Sequence, residues 1–370
     1  MIEKVVITIF EVGKGDAAVF EIFDSSQVYY IVYDICKRGK SNPILDFLAK
    51  KTDTIHAVII SHFHRDHISG VSELFSKFNI EELYIPPYFH NRTDKINPIL
   101  EKYRKEILDK SELITDETEL EKLTDFSLII HEVKKRSKLG SSSYVNSLEG
   151  VEVPFYLNCY GIELGKVLLP MKKFDQKIIQ LIDSSKNKLD VFSSINDSSI
   201  AILFSFLGLK LLFCGDSEKI SWHNLKGKMR NRKPDKLQID FLKIAHHGSK
   251  YNTDAEILNF FFDKEKTGPK YVAISGDGNK HPAKELLADI EELQLLPFCT
   301  NLSKHCVPKI KSLVSANISN YFTEFLANYD IVSTNPCQGN ITVCIENNSL
   351  TVESELNNFC PYRFDTQGLV

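Results

Sequence analysis

The chain has 370 residues and a formal net charge of −4, with 43% hydrophobic and 25% charged residues. That is enough apolar material for a substantial core, and it leaves no global positive field to draw in nucleic acid, although a local basic patch is compatible with it. The opening apolar run meets Glu11 too soon for a secretory leader, no stretch approaches the ~18 apolar residues of a membrane helix, and the eight cysteines form no C-x-x-C pair; a cytoplasmic protein with reduced thiols and no membrane contact is expected.

Strands are predicted at 5–10, 17–23 and 28–33, rich in β-branched and aromatic residues and separated by turns at Gly13-Lys14-Gly15-Asp16 and Asp24-Ser25-Ser26. A short helix is expected at 43–50 and a buried strand at 57–60 running straight into Ser61-His62. The spacing of Val71, Leu74, Phe75 and Phe78 predicts a helix at 70–78, followed by a strand at 83–85 stopped by Pro86-Pro87. The middle reads as a helix at 95–110, a strand and basic turn at 122–138, a Ser-rich loop at 140–146 and a helix at 174–184. Beyond it come a hairpin at 201–206 and 209–214, strands at 239–244 and 271–275, a helix at 282–293 with Pro282 in its first turn, and a closing hairpin at 339–345 and 350–353 through Asn347-Asn348. Strand clusters in both halves with interspersed helices point to a layered α/β sandwich. We read 1–370 as one domain, with an elaboration at 90–190 and a smaller insertion at 303–335.

Six of the eleven histidines fall in segments that end strands. His62-Phe63-His64-Arg65-Asp66-His67 places four metal-competent side chains in six residues, in a loop whose imidazoles and carboxylate suit zinc and other first-row metals. The helix expected to begin near Ser69-Gly70 would turn its positive end toward an anion there. Asp216, after Cys214-Gly215, stands where a carboxylate could bridge two cations, although a strand-end Asp is more often a cap. In His246-His247-Gly248-Ser249 one ring can ligate metal while the other reaches substrate. His281, before Pro282, could donate to a substrate oxygen or simply cap the helix. His56, His90, His131, His223 and His305 are isolated and read as structural or surface residues, with His90 the nearest to the pocket.

These motifs resemble the metallo-β-lactamase superfamily, whose signature is H-x-H-x-D-H. They are most similar to the hydrolase domain of ComEC-type DNA-uptake proteins and their free-standing relatives. Val12-Gly13-Lys14-Gly15-Asp16-Ala17, Asn196-Asp197-Ser198-Ser199, Gly215-Asp216, His246–Ser249, Gly278–Pro282 and Gln338–Val343 look like that group's motifs, in its order. The resemblance implies an αββα four-layer sandwich with two divalent metal ions at one edge, zinc or manganese. Carried over, His62 and His64 hold the first metal, Asp66, His67 and His247 the second, and Asp216 bridges. His246 and His281 then face the substrate, with Asp66 and these two counted as the catalytic residues. Asp16 would stand behind a ligand histidine and hold its tautomer, with Asp34, Asn196 and Asp197 also near the site. Where the superfamily often has a third histidine on the first metal, this chain offers only Asn196 and Asp197, and where D-T-G is usual it has Asp34-Ile35-Cys36. The Tyr-Gly that often precedes the H-P histidine is absent, and so is the uptake channel, so a free enzyme is expected.

Two cations lower the pKa of a shared water and present hydroxide at neutral pH, which suits a phosphodiester. Between Lys226 and Lys236 six positive charges stand against one negative, so Lys226, Lys228, Arg230, Arg232 and Lys233 could track a nucleic-acid backbone, or simply line a solvated connecting loop. The expected activity is a metal-dependent phosphodiesterase or nuclease. Hydrolysis of a small ester, thioester, lactone or small phosphodiester is the alternative, and a catalytically idle regulatory or binding module the third reading. An operon-encoded partner protein and the oligomeric state are left open.

Overall fold

The computed structural model describes residues 2–86, 128–129, 155–159, 162–169, 196, 199–230, 236–263, 265, 267–306, 337–356, 360 and 362. The expected helices at 95–110 and 174–184, the loop at 140–146 and most of the insertion at 303–335 lie outside them.

Two seven-stranded sheets carry the fold. The first orders its strands β14 (Ser349–Ser354), β13 (Ile341–Glu346), β1 (Ile2–Ile9), β2 (Ala18–Asp24), β3 (Gln27–Tyr33), β4 (Thr54–Ile59) and β5 (Asn79–Tyr84). The pairs from β14 to β3 are antiparallel, and β3–β4 and β4–β5 are parallel. The second orders β12 (Leu296–Cys299), β11 (Tyr271–Ile274), β10 (Phe241–Lys243), β9 (Leu209–Phe213), β8 (Ala201–Phe206), β7 (Ile162–Leu169) and β6 (Phe155–Cys159). Here β9 through β12 run parallel and β6 through β9 antiparallel.

Side-chain alternation makes the four layers. Phe20, Ile31, Tyr33, Leu211 and Phe213 point into the space between the sheets, where Phe20 meets Phe204 at 4.8 Å and Phe213 at 5.1 Å between ring centroids. Their neighbours Val19 and Val32 point outward onto helices α1 (Pro43–Leu48) and α3 (Val71–Lys77). Leu212 likewise points onto α4 (Lys219–Met229), α5 (Ala255–Phe261) and α6 (Lys284–Glu292). Burial on both faces explains why the central strands read as near-continuous apolar runs. The fold is therefore the αββα sandwich, and the closing hairpin turns through Asn347 and Asn348, both in the left-handed region that a two-residue turn requires.

Five expectations are corrected. The His62–His67 segment is not all loop: Arg65–Ile68 form a one-turn helix, α2, closed by the His67 N–H donating to the His64 carbonyl at 2.9 Å. The start of α3 lies against Asn42 and Lys37, not toward a ligand. Leu128 and Ile129, the described residues of the expected strand at 122–138, are helical. Lys226 and Lys228 lie on the last turn of α4, not on a connecting loop. Pro282 precedes α6, whose start is set later because the Ala283 N–H donates to the Gly248 carbonyl at 3.0 Å. In addition β6 and β7, within 90–190, belong to the second sheet.

Candidate metal centre

The site is built where parallel strands of both sheets end. The loop after β4 carries His62, His64, Asp66 and His67; that after β9 carries Asp216; that after β10 carries His246 and His247; and that after β11 leads to His281. Backbone hydrogen bonds stitch these loops together: Ile200 N–H to the Ser61 carbonyl (2.9 Å), His246 N–H to the Gly215 carbonyl (3.2 Å), and Asp16 N–H to the Asp66 carbonyl (2.9 Å). Close approach demands glycine twice. A Cβ on Gly15 would run into Cys36 Sγ and lie 2.7 Å from the Asp66 carbonyl, and one on Gly215 would strike Ser199 Oγ and lie 2.9 Å from Ser61 Cβ. Both glycines have positive φ as well.

Among the described residues three groups of ligand-type side chains converge: His62, His64 and Asp216; Asp66, His67 and His247; and Asp16, Asp34 and His67. Asp216 stands between the first two: its Oδ2 is 3.5 Å from His62 Nε2 and its Oδ1 is 3.3 Å from His67 Nε2. Asp66 Oδ2 faces His247 Nε2 at 3.3 Å.

The far side of each ring fixes its tautomer. Asp34 Oδ1 accepts from the Ser61 N–H, and its Oδ2 accepts from Ser61 Oγ (both 2.7 Å) and from His67 Nδ1 (2.8 Å). Ser61 Oγ, its proton committed to Asp34, accepts from His62 Nδ1 at 3.1 Å. His247 Nδ1 donates to the Ser275 carbonyl at 3.0 Å. With Nδ1 protonated, Nε2 of each ring faces a carboxylate oxygen. A neutral ring such as His62 sets its lone pair against that oxygen, which is repulsive until a cation enters, while the carboxylates raise His67 and His247 so that a proton on Nε2 competes with metal there. His62 Nε2, His67 Nε2 and Asp216 Oδ1 are buried with no hydrogen-bond partner, a costly set in an apolar interior and a natural one around metal. The residues therefore fit divalent cations.

Over residues 34–140 the chain matches the family model described as the metallo-beta-lactamase superfamily, a span that contains the His62–His67 cluster. By this match the segment 34–140 is that of the metallo-β-lactamase superfamily. The chain is 30% identical over 99 residues to the hydroxyacylglutathione hydrolase of Bdellovibrio bacteriovorus, a match covering 25% of this chain and 38% of that relative. Among solved structures, a diphosphatase from the PhnP family is 10% identical with a TM-score of 0.34, covering 86% of this chain and 93% of that one. A metallo-beta-lactamase family protein from Thermus thermophilus is 10% identical with a TM-score of 0.32, covering 84% and 82%.

Electrostatics at the site follow from burial and from the neighbouring charges. Burial opposes ionisation of Asp216 and Asp66, but the neighbouring histidines outweigh it and hold both carboxyls well below the usual range. Burial and the charge of His67 push His62 well below its ordinary value, so His62 stays neutral. For His67, burial is outweighed by the carboxylates of Asp216 and Asp34, which raise it.

Asp16 does not set a tautomer. It lies 3.9 Å from His247 Nδ1, which the Ser275 carbonyl already engages, and it instead receives Lys243 Nζ at 2.7 Å. His281 is half-buried at the mouth, with its Nδ1 unpartnered and its ring 6.1 Å from that of His246. Asn196 touches His246 Nδ1 at 3.5 Å, and Asp197, Arg232 and Lys233 lie outside the described residues. Lys226 is paired with Glu256 at 2.7 Å, so part of the basic segment is neutralised within the protein. Ser61, Ser275, Asn252 and Lys243 were not anticipated, and Ser199 was noted only as the end of the Asn196–Ser199 motif, without its role under Asp216. Of the unanticipated four, Lys243 carries a signal in the sequence, a charge at the end of an otherwise apolar strand.

Proposed function

We propose that the chain is a dinuclear metal-dependent hydrolase acting on phosphodiesters, nucleic acid among them. The observation that carries this reading is Asp216, which offers one oxygen to each of two groups of side chains whose imidazoles have their lone pairs turned inward. His62 and His64 would hold one cation, Asp66, His67 and His247 the other, and Asp216 both. Bound divalent cations supply Lewis acidity and a water of lowered pKa. The chain's own residues do the rest: Ser61, Asp34 and Ser275 keep the rings oriented, and the sheet ends exclude water from behind them. His281 steadies a substrate oxygen or protonates the leaving group. Lys14, exposed on the loop after β1, places a further positive charge near His281, which favours an anionic substrate. Zinc and manganese both suit this donor set.

A second reading is thioester hydrolysis, supported by the 30% identity to a hydroxyacylglutathione hydrolase. Stripped protein reloaded with zinc or manganese, as wild type and Asp66→Ala, is to be assayed on bis(p-nitrophenyl) phosphate, plasmid and single-stranded DNA, and a hydroxyacylglutathione thioester. Phosphodiester cleavage that needs both metal and Asp66 supports the first reading, and DNA degradation extends it to nucleic acid. Metal bound without any phosphodiester cleavage, together with thioester turnover, replaces it with the second.

A further inference from the structure

The two halves of the centre are unequal. Among the described residues, one has Asp66, His67 and His247 besides Asp216, and the other His62 and His64 besides Asp216. From sequence, Asn196 and Asp197 are the candidates to complete the poorer half. Asn196 instead lies against His246, its Nδ2 3.5 Å from His246 Nδ1.

His246 is placed to complete that half itself. Its Nε2 is 3.8 Å from Asp216 Oδ2, the same oxygen that faces His62 Nε2 at 3.5 Å. The other side of the ring is read through Asn252, which is buried. Asn252 Nδ2 donates to the Asp216 carbonyl at 2.9 Å and to the Ser217 carbonyl at 3.3 Å, so its amide can face only one way. That leaves Asn252 Oδ1 to meet His246 Nδ1 at 3.1 Å, and an amide oxygen only accepts. His246 Nδ1 therefore carries the proton and Nε2 presents its lone pair to the His62 side. The Asn196 amide, whose Oδ1 is buried without a partner, satisfies the same Nδ1–H when turned over. His246 and His247 both adopt left-handed backbone (φ 47° and 56°), and each turns its Nε2 toward a carboxylate of the centre. Such strain persists where surrounding contacts over-determine it, here the His246 N–H to Gly215 carbonyl bond at 3.2 Å.

We propose that His246 is the third nitrogen donor to the cation held by His62, His64 and Asp216, with Asn252 as its positioning residue. The assignment rests on the two-cation reading above. It replaces the division of labour in which His247 binds metal and His246 faces substrate: each histidine serves one cation.

The test is calorimetric titration of metal-stripped protein with zinc, with cobalt(II) absorption as a second readout, on wild type, His246→Ala, His246→Gln, Asn252→Ala and His247→Ala. Wild type is expected to take up about two equivalents, and His246→Ala about one tightly, the other weakened at least about tenfold with an altered cobalt spectrum. Asn252→Ala weakens the same equivalent about tenfold while retaining the ligand. His247→Ala loses the other equivalent. His246→Gln, which preserves bulk, repeats the His246→Ala result should the alanine variant fold poorly. Two equivalents bound by His246→Ala and His246→Gln with wild-type affinity and spectrum overturn the assignment alone and return His246 to the substrate. A wild-type protein that binds no divalent cation overturns the two-cation reading, and the assignment with it.

Discussion

Lys243 Nζ lies 2.7 Å from Asp16 Oδ1, and both side chains are only 5% exposed. Burial opposes the charge on Asp16, but the Lys243 ammonium outweighs it and lowers the carboxyl below its ordinary range. The pair ties the loop after β1 to the end of β10, the strand that delivers His246 and His247. Removing one partner leaves the other charge buried without its counter-ion. Lys243→Met is therefore expected to cost about 3–5 kcal/mol in urea unfolding, and the double variant Asp16→Asn/Lys243→Met to recover much of that loss. A double variant no more stable than Lys243→Met would show that the lysine acts through packing alone.

Gly215 has a φ of 52°, and a side chain there would strike Ser199 Oγ. That hydroxyl receives the Asp216 N–H at 2.9 Å and so helps place the central carboxylate. Gly215→Ala is unfavourable on two counts, left-handed backbone and displacement of Ser199. We expect a loss of more than about 1 kcal/mol in stability and weaker zinc uptake by calorimetry. Ser199→Ala removes the hydrogen bond without the clash and should cost less, about 1 kcal/mol. Equal losses in the two variants would mean that the steric term is negligible.

The cluster of His62, His64, Asp66 and His67 was legible because four ligand-type side chains so close together have no simpler explanation in a fold. The sandwich was legible where Gly, Asn-Asn and Pro-Pro turns bracket runs such as those around Phe20 and Tyr33. Helix α4 was hidden because its buried face is only Ser221, Trp222 and Leu225, set among lysines that read as a solvated patch. Helix α5 was hidden for the opposite reason: Ile257, Leu258, Phe260 and Phe261 are all buried, and Glu256 and Asn259 between them make too narrow a polar face to mark a helical period. Strand β12 contains Pro297, which argues against a central strand and is tolerated at the sheet edge where it lies. The groups that fix the ring tautomers escaped because a carbonyl such as that of Ser275 carries no residue signature.

Metal should stabilise the fold, since the inward lone pairs and carboxylates are held together only in the native state. At a free zinc concentration a hundred times Kd, a single site adds about 2.7 kcal/mol to unfolding free energy. Stripped wild-type protein is therefore expected to show a lower Tm that zinc or manganese restores and a chelator lowers again. Asp216→Ala, which removes the carboxylate shared by both groups, should show little metal-dependent shift in Tm. A full shift in that variant would place the bound ions elsewhere on the protein.

Asp254 caps α5 and pairs with α4: its Oδ1 accepts from the Ile257 N–H at 3.1 Å, and Lys219 Nζ lies 2.8 Å from its Oδ2. Partial burial opposes its ionisation, but the Lys219 ammonium and the Ile257 N–H prevail and lower its carboxyl below the ordinary carboxylate range. A carboxyl lowered in the folded state contributes stability that is present above its unfolded value and lost as pH falls through the folded one. The pair is about one-third exposed, so its share is at most about 1 kcal/mol, and the cap adds about as much. Asp254→Asn keeps a capping oxygen and removes the charge. Its deficit against wild type in urea unfolding should be present at pH 7 and disappear below the folded pKa of Asp254, whereas Asp254→Ala should retain a deficit at acid pH from the missing cap. A deficit of Asp254→Asn that does not change with pH would show that the charge contributes nothing and that packing around α4 and α5 carries the contact.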